Sequence, residues 1–185
     1  MKKVIFISFS ILFLMFKANS QVTKGNWLVG GNASFSLIKN GVTKDNYLQL
    51  SPNIGYFMLD KFAVGLKLGL STKKSDVYGS EDFTKSSSFD FGPFVRYYFF
   101  PVDKQFNILV EGSYQHGIEK IKSNYTTTDY FRNAFSFATG PVVYFNTSVG
   151  LEFLIGYTGL KYTTTETIHT NLQFAIGLQV HLEKE

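Results

Sequence analysis

The stretch FDFGPFVRYYFFPVDKQFNILVEGSYQ, from Phe89 to Gln115, alternates residue by residue on both sides of a Pro-Val-Asp-Lys-Gln turn. Phe89, Phe91, Pro93, Val95, Tyr97 and Phe99 share one parity, and Asp90, Gly92, Phe94, Arg96 and Tyr98 the other. Beyond the turn Phe106, Ile108, Val110 and Tyr114 alternate with Asn107, Glu111, Ser113 and Gln115. Successive side chains of an extended strand point to opposite sides of a sheet, so this pattern reads as a two-faced antiparallel hairpin. What each face meets decides the kind of protein.

The pattern recurs along the chain. Alternating segments run over 26–37, 47–57, 62–71, 88–100, 106–116, 131–145, 148–158 and 170–182. Connections at 58–61, 101–105 and 146–147 are short, whereas 38–46, 72–87, 117–130 and 159–169 are long and rich in Lys, Thr, Ser, Asn and Asp. Outside the first residues no helix-period segment of useful length occurs. Eight strands with short turns at one end and polar loops at the other predict an all-β fold, an eight-stranded antiparallel up-and-down transmembrane β-barrel. Pro52, Pro93 and Pro141 fall inside expected strands, where each removes a ladder hydrogen bond. A bulge or kink is expected at each.

The first parity carries no Asp, Glu, Lys or Arg within these segments. A charge there would cost about 2–4 kcal/mol at mid-bilayer, so the composition suits a lipid-facing band. The second parity holds small and polar residues, many glycines, and the charges Lys67, Asp90, Arg96, Glu111 and Glu152. Mixed charges among small residues suit a narrow lumen, where they are expected to form an ion-pair network. The competing arrangement is a soluble lipocalin-type barrel with the apolar parity around a ligand, and Gly25-Asn26-Trp27 matches that family's short Gly-x-Trp signature. Trp27, Tyr56, Phe57, Tyr97, Phe99, Tyr144 and Phe145 cluster at the ends of strands near the short turns. An aromatic girdle at a membrane boundary predicts that placement and favours the lipid-facing arrangement.

The N-terminus fits export. Lys2 and Lys3 precede an apolar stretch from Val4 to Phe16, with small residues at Ala18-Asn19-Ser20. Residues 1–20 therefore read as a cleaved signal peptide and 21–185 as the barrel domain. Loss of Lys2, Lys3 and Lys17 brings 18 Lys and Arg down to 15 against 14 Asp and Glu, which gives no basis for nucleic-acid binding. Without cysteine there is no disulfide framework or thiol chemistry.

Three units, SPNIGYF, GPFVRYYF and GPVVYF, each precede a short turn and a glycine-rich strand. With these repeats the chain resembles the small eight-stranded outer-membrane barrels of the OmpX and OmpA-barrel type. The last strand, NLQFAIGLQVHL, resembles their C-terminal assembly signal, with Gly177, Val180 and Leu182 at its spacing, although Glu183-Lys184-Glu185 replaces a terminal aromatic residue. The resemblance implies the outer membrane of a Gram-negative-type cell, folding by the barrel-assembly machinery, and a monomer among outer-membrane lipids including lipopolysaccharide. Lys39, Lys44, Lys73, Lys74, Lys120, Lys122 and Lys161 could meet that lipid's anionic groups.

Chemistry is sparsely encoded. His116, His169 and His181 are too scattered for a compact metal site, and no cofactor fingerprint occurs. Ser113 and His116 lie three apart on a strand and therefore on opposite faces, and the His-x-Ser spacing of barrel lipid deacylases is missing. The expected role is a non-enzymatic envelope protein whose barrel presents polar extracellular loops. The alternative is a narrow channel or small-molecule transporter through the charged lumen.

Overall fold

The computed structural model describes residues 22–40, 43–77, 83–101, 104–164 and 166–183. The predicted signal segment lies outside these residues. Eight strands form: β1 (Trp27–Asn40), β2 (Thr43–Leu59), β3 (Phe62–Val77), β4 (Phe83–Tyr98), β5 (Phe106–Ser123), β6 (Thr127–Tyr144), β7 (Val149–Tyr162) and β8 (Ile168–Leu182). Each pairs antiparallel with its sequence neighbours, and β8 returns to β1 to close a barrel. Closure removes most of the unpaired strand edge that an open sheet would expose.

The alternation reads directly as two faces. On β4, Phe89, Phe91, Val95 and Tyr97 are exposed outward while Asp90, Phe94, Arg96 and Tyr98 are buried inward. The same parity holds on β8, where Leu172, Phe174, Ile176 and Leu178 face out and Gln179 and His181 face in. The apolar face is therefore the outside of the barrel. A lipocalin-type arrangement requires the opposite and is excluded.

The strands run further than the apolar pattern. Four expected polar loops are largely strand: β1 and β2 extend to Asn40 and from Thr43, and β5 and β6 to Ser123 and from Thr127. Lys, Thr, Ser and Asp end the apolar alternation at the membrane boundary, but their backbones keep pairing in water. The outer end consists of paired hairpins rather than long loops.

Pro52, Pro93 and Pro141 do not produce the expected bulges. Beside each, one ladder skips two residues and resumes in unchanged register: Leu50↔Leu70 to Asn53↔Lys67, Phe91↔His116 to Phe94↔Ser113, and Thr139↔Ile155 to Val142↔Glu152. The other side of each proline stays paired, at Gly31↔Pro52, Leu66↔Pro93 and Ile108↔Pro141. A proline lacks only one donor, so it interrupts the ladder that donor would have served. The register shift in these ladders is instead at Phe57/Leu59, beside the turn where Lys61 takes a left-handed φ of 68°.

Candidate functional site: two charged layers in the lumen

The lumen is filled from the short-turn end upward. Val22, Leu28, Phe57, Tyr98, Leu109, Val142 and Tyr144 are buried together there, with Phe94 and Leu154. His181 stands edge-on to Phe57, Tyr98 and Tyr144, with ring centroids at 5.4, 6.1 and 5.6 Å. The segment before β1 seals this end: Lys61 N–H donates to the Val22 carbonyl at 2.7 Å and Gly25 N–H to the Phe57 carbonyl at 2.9 Å. Burying each large side chain contributes about 1.5–3 kcal/mol. This apolar plug departs from the expectation of a lumen of small residues and charges throughout.

Phe57 and Tyr144 are therefore not girdle residues. Each is the neighbour of an outward aromatic, Tyr56 or Phe145, and adjacent strand residues cannot share a face. Trp27, Tyr97, Phe99 and Phe145 are exposed on the outer face, and Tyr56 packs edge-on to Trp27 at 5.3 Å.

Above the plug lies the lower charged layer. Arg96 donates from Nε and Nη2 to Glu111 Oε2 at 2.9 and 2.6 Å and from Nη1 to Glu152 Oε1 at 2.7 Å. Lys67 Nζ caps the other Glu111 oxygen, Oε1. Tyr98 Oη lies 3.2 Å from Arg96 Nη1, and Gln179 Nε2 donates to Glu152 Oε2 at 3.4 Å. Lys67 Nζ and Arg96 Cζ stand 5.8 and 5.7 Å from the Phe94 ring centre, within cation–π range. Two cations meet two carboxylates, so the layer is neutral, and every charged side chain in it is buried.

Asp90 does not join this layer. It accepts from Arg132 Nε at 2.8 Å and Nη2 at 2.5 Å, three inward positions above Arg96 on β4. Arg132 Nη1 also donates to Glu119 Oε2 at 2.9 Å, which accepts from the Tyr162 hydroxyl at 2.7 Å, while Ser86 caps Glu119 Oε1. The sequence reading missed Arg132 and Glu119. Arg132 alternates with Phe131 and Phe135, so parity alone points it inward. Glu119 was hidden because it lies past the apolar stretch, in a segment read as loop. Higher still, Asp45 pairs with Lys73 at 3.1 Å, and the Ser75 hydrogen bond, with Lys73, holds its carboxyl below the usual carboxylate range.

The sequence between residues 5 and 181 matches the family profile "Outer membrane protein beta-barrel domain". The chain belongs to this outer-membrane β-barrel family. Among solved structures, the N-terminal β-barrel domain of OprF from Pseudomonas aeruginosa is similar at 13% identity and a TM-score of 0.56, covering 86% of this chain and 98% of that one. Neisserial surface protein A is similar at 14% identity and 0.54, covering 85% and 97%. OprG, also from Pseudomonas aeruginosa, gives 14% identity and 0.52, covering 90% and 100%. At such identities the likeness concerns the fold. No curated protein sequence matches the chain.

Outer-membrane barrels of this class keep short turns on the periplasmic side and longer connections outside. Of the assembly-signal residues, Gly177 faces the lumen beside Glu152, and Val180 and Leu182 lie on the outer face. Ser113 faces in and His116 out, where His116 Nδ1 is 2.8 Å from Asn133 Oδ1. Among the described residues no three His, Asp or Glu gather as a metal site.

Proposed function

We propose that this outer-membrane barrel is a non-enzymatic, non-conducting protein whose working surface is the outer rim of paired hairpins. The observation that supports it most is the filled lower lumen, where the apolar plug and the neutral Lys67–Glu111–Arg96–Glu152 layer stack, with a space of about 40 Å³ beside Lys67 and Glu111. A conducting path would require breaking buried ion pairs. In planar bilayers the folded protein is expected to show no discrete channels. Stable unitary currents altered by Glu152→Gln would establish the channel reading in its place.

The rim offers a contact for lipopolysaccharide. Lys74, Lys85 and Lys122 stand directly opposite one another on β3, β4 and β5, exposed on the outward face, with Lys120 one step nearer the apolar band. Lys74 already pairs with Asp76 at 2.9 Å, but Lys85 directly faces Lys122, where like charges repel and a bridging anion relieves the cost. Removing the row in Lys74→Gln/Lys85→Gln/Lys122→Gln should reduce co-purifying lipopolysaccharide severalfold and weaken the salt dependence of its binding. Unchanged lipid content would remove this contact. Signal cleavage, assembly through the barrel machinery by way of the last strand, and a monomeric state belong to the same proposal.

A further inference from the structure

The wall is incomplete at one place. β1 and β8 pair from Trp27↔Leu182 to Ala33↔Ile176, and among the described residues no pairing between them lies beyond that point. Yet β1 runs on to Asn40, paired with β2, and β8 begins at Ile168, paired with β7. Two strand edges therefore diverge above Ala33 and Ile176.

The lower part of this slot is at membrane depth. Phe35, Leu172 and Phe174 flank it on the outer face and are 65%, 64% and 70% exposed. Their partners on the fully paired strands, Leu48, Tyr157 and Ile155, are 42%, 46% and 47% exposed. Open sheet edges facing hydrocarbon are not tolerated, because each unsatisfied backbone group costs several kcal/mol; they persist where they border a cavity or an occupant.

Such a cavity is present. A space of about 550 Å³ occupies the outer lumen, and the outward-facing Phe35, Leu172 and Phe174 line it together with the inward-facing Gln49, Gln115 and Gln173. Its lining takes in both unpaired edges, 34–36 on β1 and 169–174 on β8, so the space meets the slot. The volume is that of a small-molecule pocket. The Asp90–Arg132 pair stands on its wall, and below it the lining continues to Gln115 and Ser136 before the filled lower lumen closes the space. Both carboxylates on its wall are already matched, Asp90 by Arg132 and Asp45 by Lys73. An ionic head would find no spare counter-charge there. Amides and hydroxyls remain to hydrogen-bond, with apolar lips at the slot.

We propose that the outer half of the barrel holds a blind binding site, entered sideways from the membrane through the β1–β8 slot, for a single-tailed amphiphile with an uncharged hydrogen-bonding head. The head lies in the vestibule and the tail passes between Phe35 and Phe174 into the outer leaflet. The site needs the blind vestibule and the slot, and it does not depend on what the rim contacts.

The test uses the full mature chain folded in phospholipid vesicles with a monoacylglycerol bearing a photoreactive diazirine beside its head. Labels should concentrate on residues 34–36, 134–136 and 171–175, about tenfold above residues 89–91 at similar depth on the far wall. Gln173→Trp should fill the vestibule behind the slot and lower that labelling about tenfold, with a heat-sensitive gel shift confirming folding. Asn171→Trp serves if that variant does not fold. Even labelling around the belt would overturn the proposal, as would equal labelling by same-tail probes with phosphate or trimethylammonium heads. Slow exchange of the slot-facing amides among 34–36 and 172–175, those not bonded to β2 or β7, without added amphiphile would also overturn it. In a monomer that result means a zipped seam, and in a dimer a second copy seated in the slot.

Discussion

At the scale of single residues, Arg96 holds the most consequential position. It is 1% exposed and, from β4, binds Glu111 on the adjacent β5 and reaches across the lumen to Glu152 on β7, which is not a neighbour. Its guanidinium suits this role because a planar fork can serve two carboxylates at once. Arg96→Met removes the cation and leaves Glu152 without an ion-pair partner, a change that typically costs about 3–5 kcal/mol. Urea unfolding in detergent micelles should show that loss. The double change Arg96→Met/Glu152→Gln should recover part of it, because it no longer buries the Glu152 charge unmatched. A double variant no more stable than Arg96→Met would mean that Glu152 is not coupled to Arg96. The girdle correction belongs to this scale as well. Phe57 and Tyr144 have the right composition and the right height for a membrane boundary, but one step of parity turns each into the lumen.

At the scale of elements, two of the three proline-bearing strands share one device. In β4 and β6 a glycine precedes the proline, and a Cβ on Gly92 or Gly140 would run into the carbonyl oxygen of Tyr114 or Phe153 on the next strand. Backbones approach closely just where the ladder is interrupted. Gly140→Ala must push β6 and β7 apart and should lower stability by about 1–3 kcal/mol, as overpacking generally does. Pro93→Ala restores a donor facing β5, so a newly protected amide at position 93 is expected in hydrogen exchange. An unprotected amide there would mean that the gap is set by the glycine and not by the missing donor. Strand length is the other lesson of this scale. Apolar alternation marks where a strand crosses lipid, whereas backbone pairing ignores the boundary, so the polar hairpins at the outer end were read as loops.

At the scale of the whole molecule, the barrel is a closed ladder with one short seam. Folding in detergent should give a gel band that migrates differently before and after boiling, because closure keeps the barrel compact until heat opens it. Within the folded state the seam should open first: amides of 28–33 and 177–181 are expected to exchange faster than those of the β5–β6 ladder, which is paired from Phe106↔Val143 to Lys122↔Thr127. Equal protection around the barrel would contradict this ordering.

By itself the sequence determined the strand count, the antiparallel order and the outward direction of the apolar face, because period-two alternation is a local property that each strand carries independently. It also placed Lys67, Arg96, Glu111 and Glu152 on the inner face. Only the tertiary structure decided which charges meet. Asp90 lies on the same strand and parity as Arg96, yet it pairs with Arg132, because partners in a barrel are chosen by height and by reach across the lumen, which depend on the register of all eight strands together. The open stretch of the β1–β8 seam has the same origin. Closure joins the first strand to the last, and no local pattern in either one states how far that pairing will run.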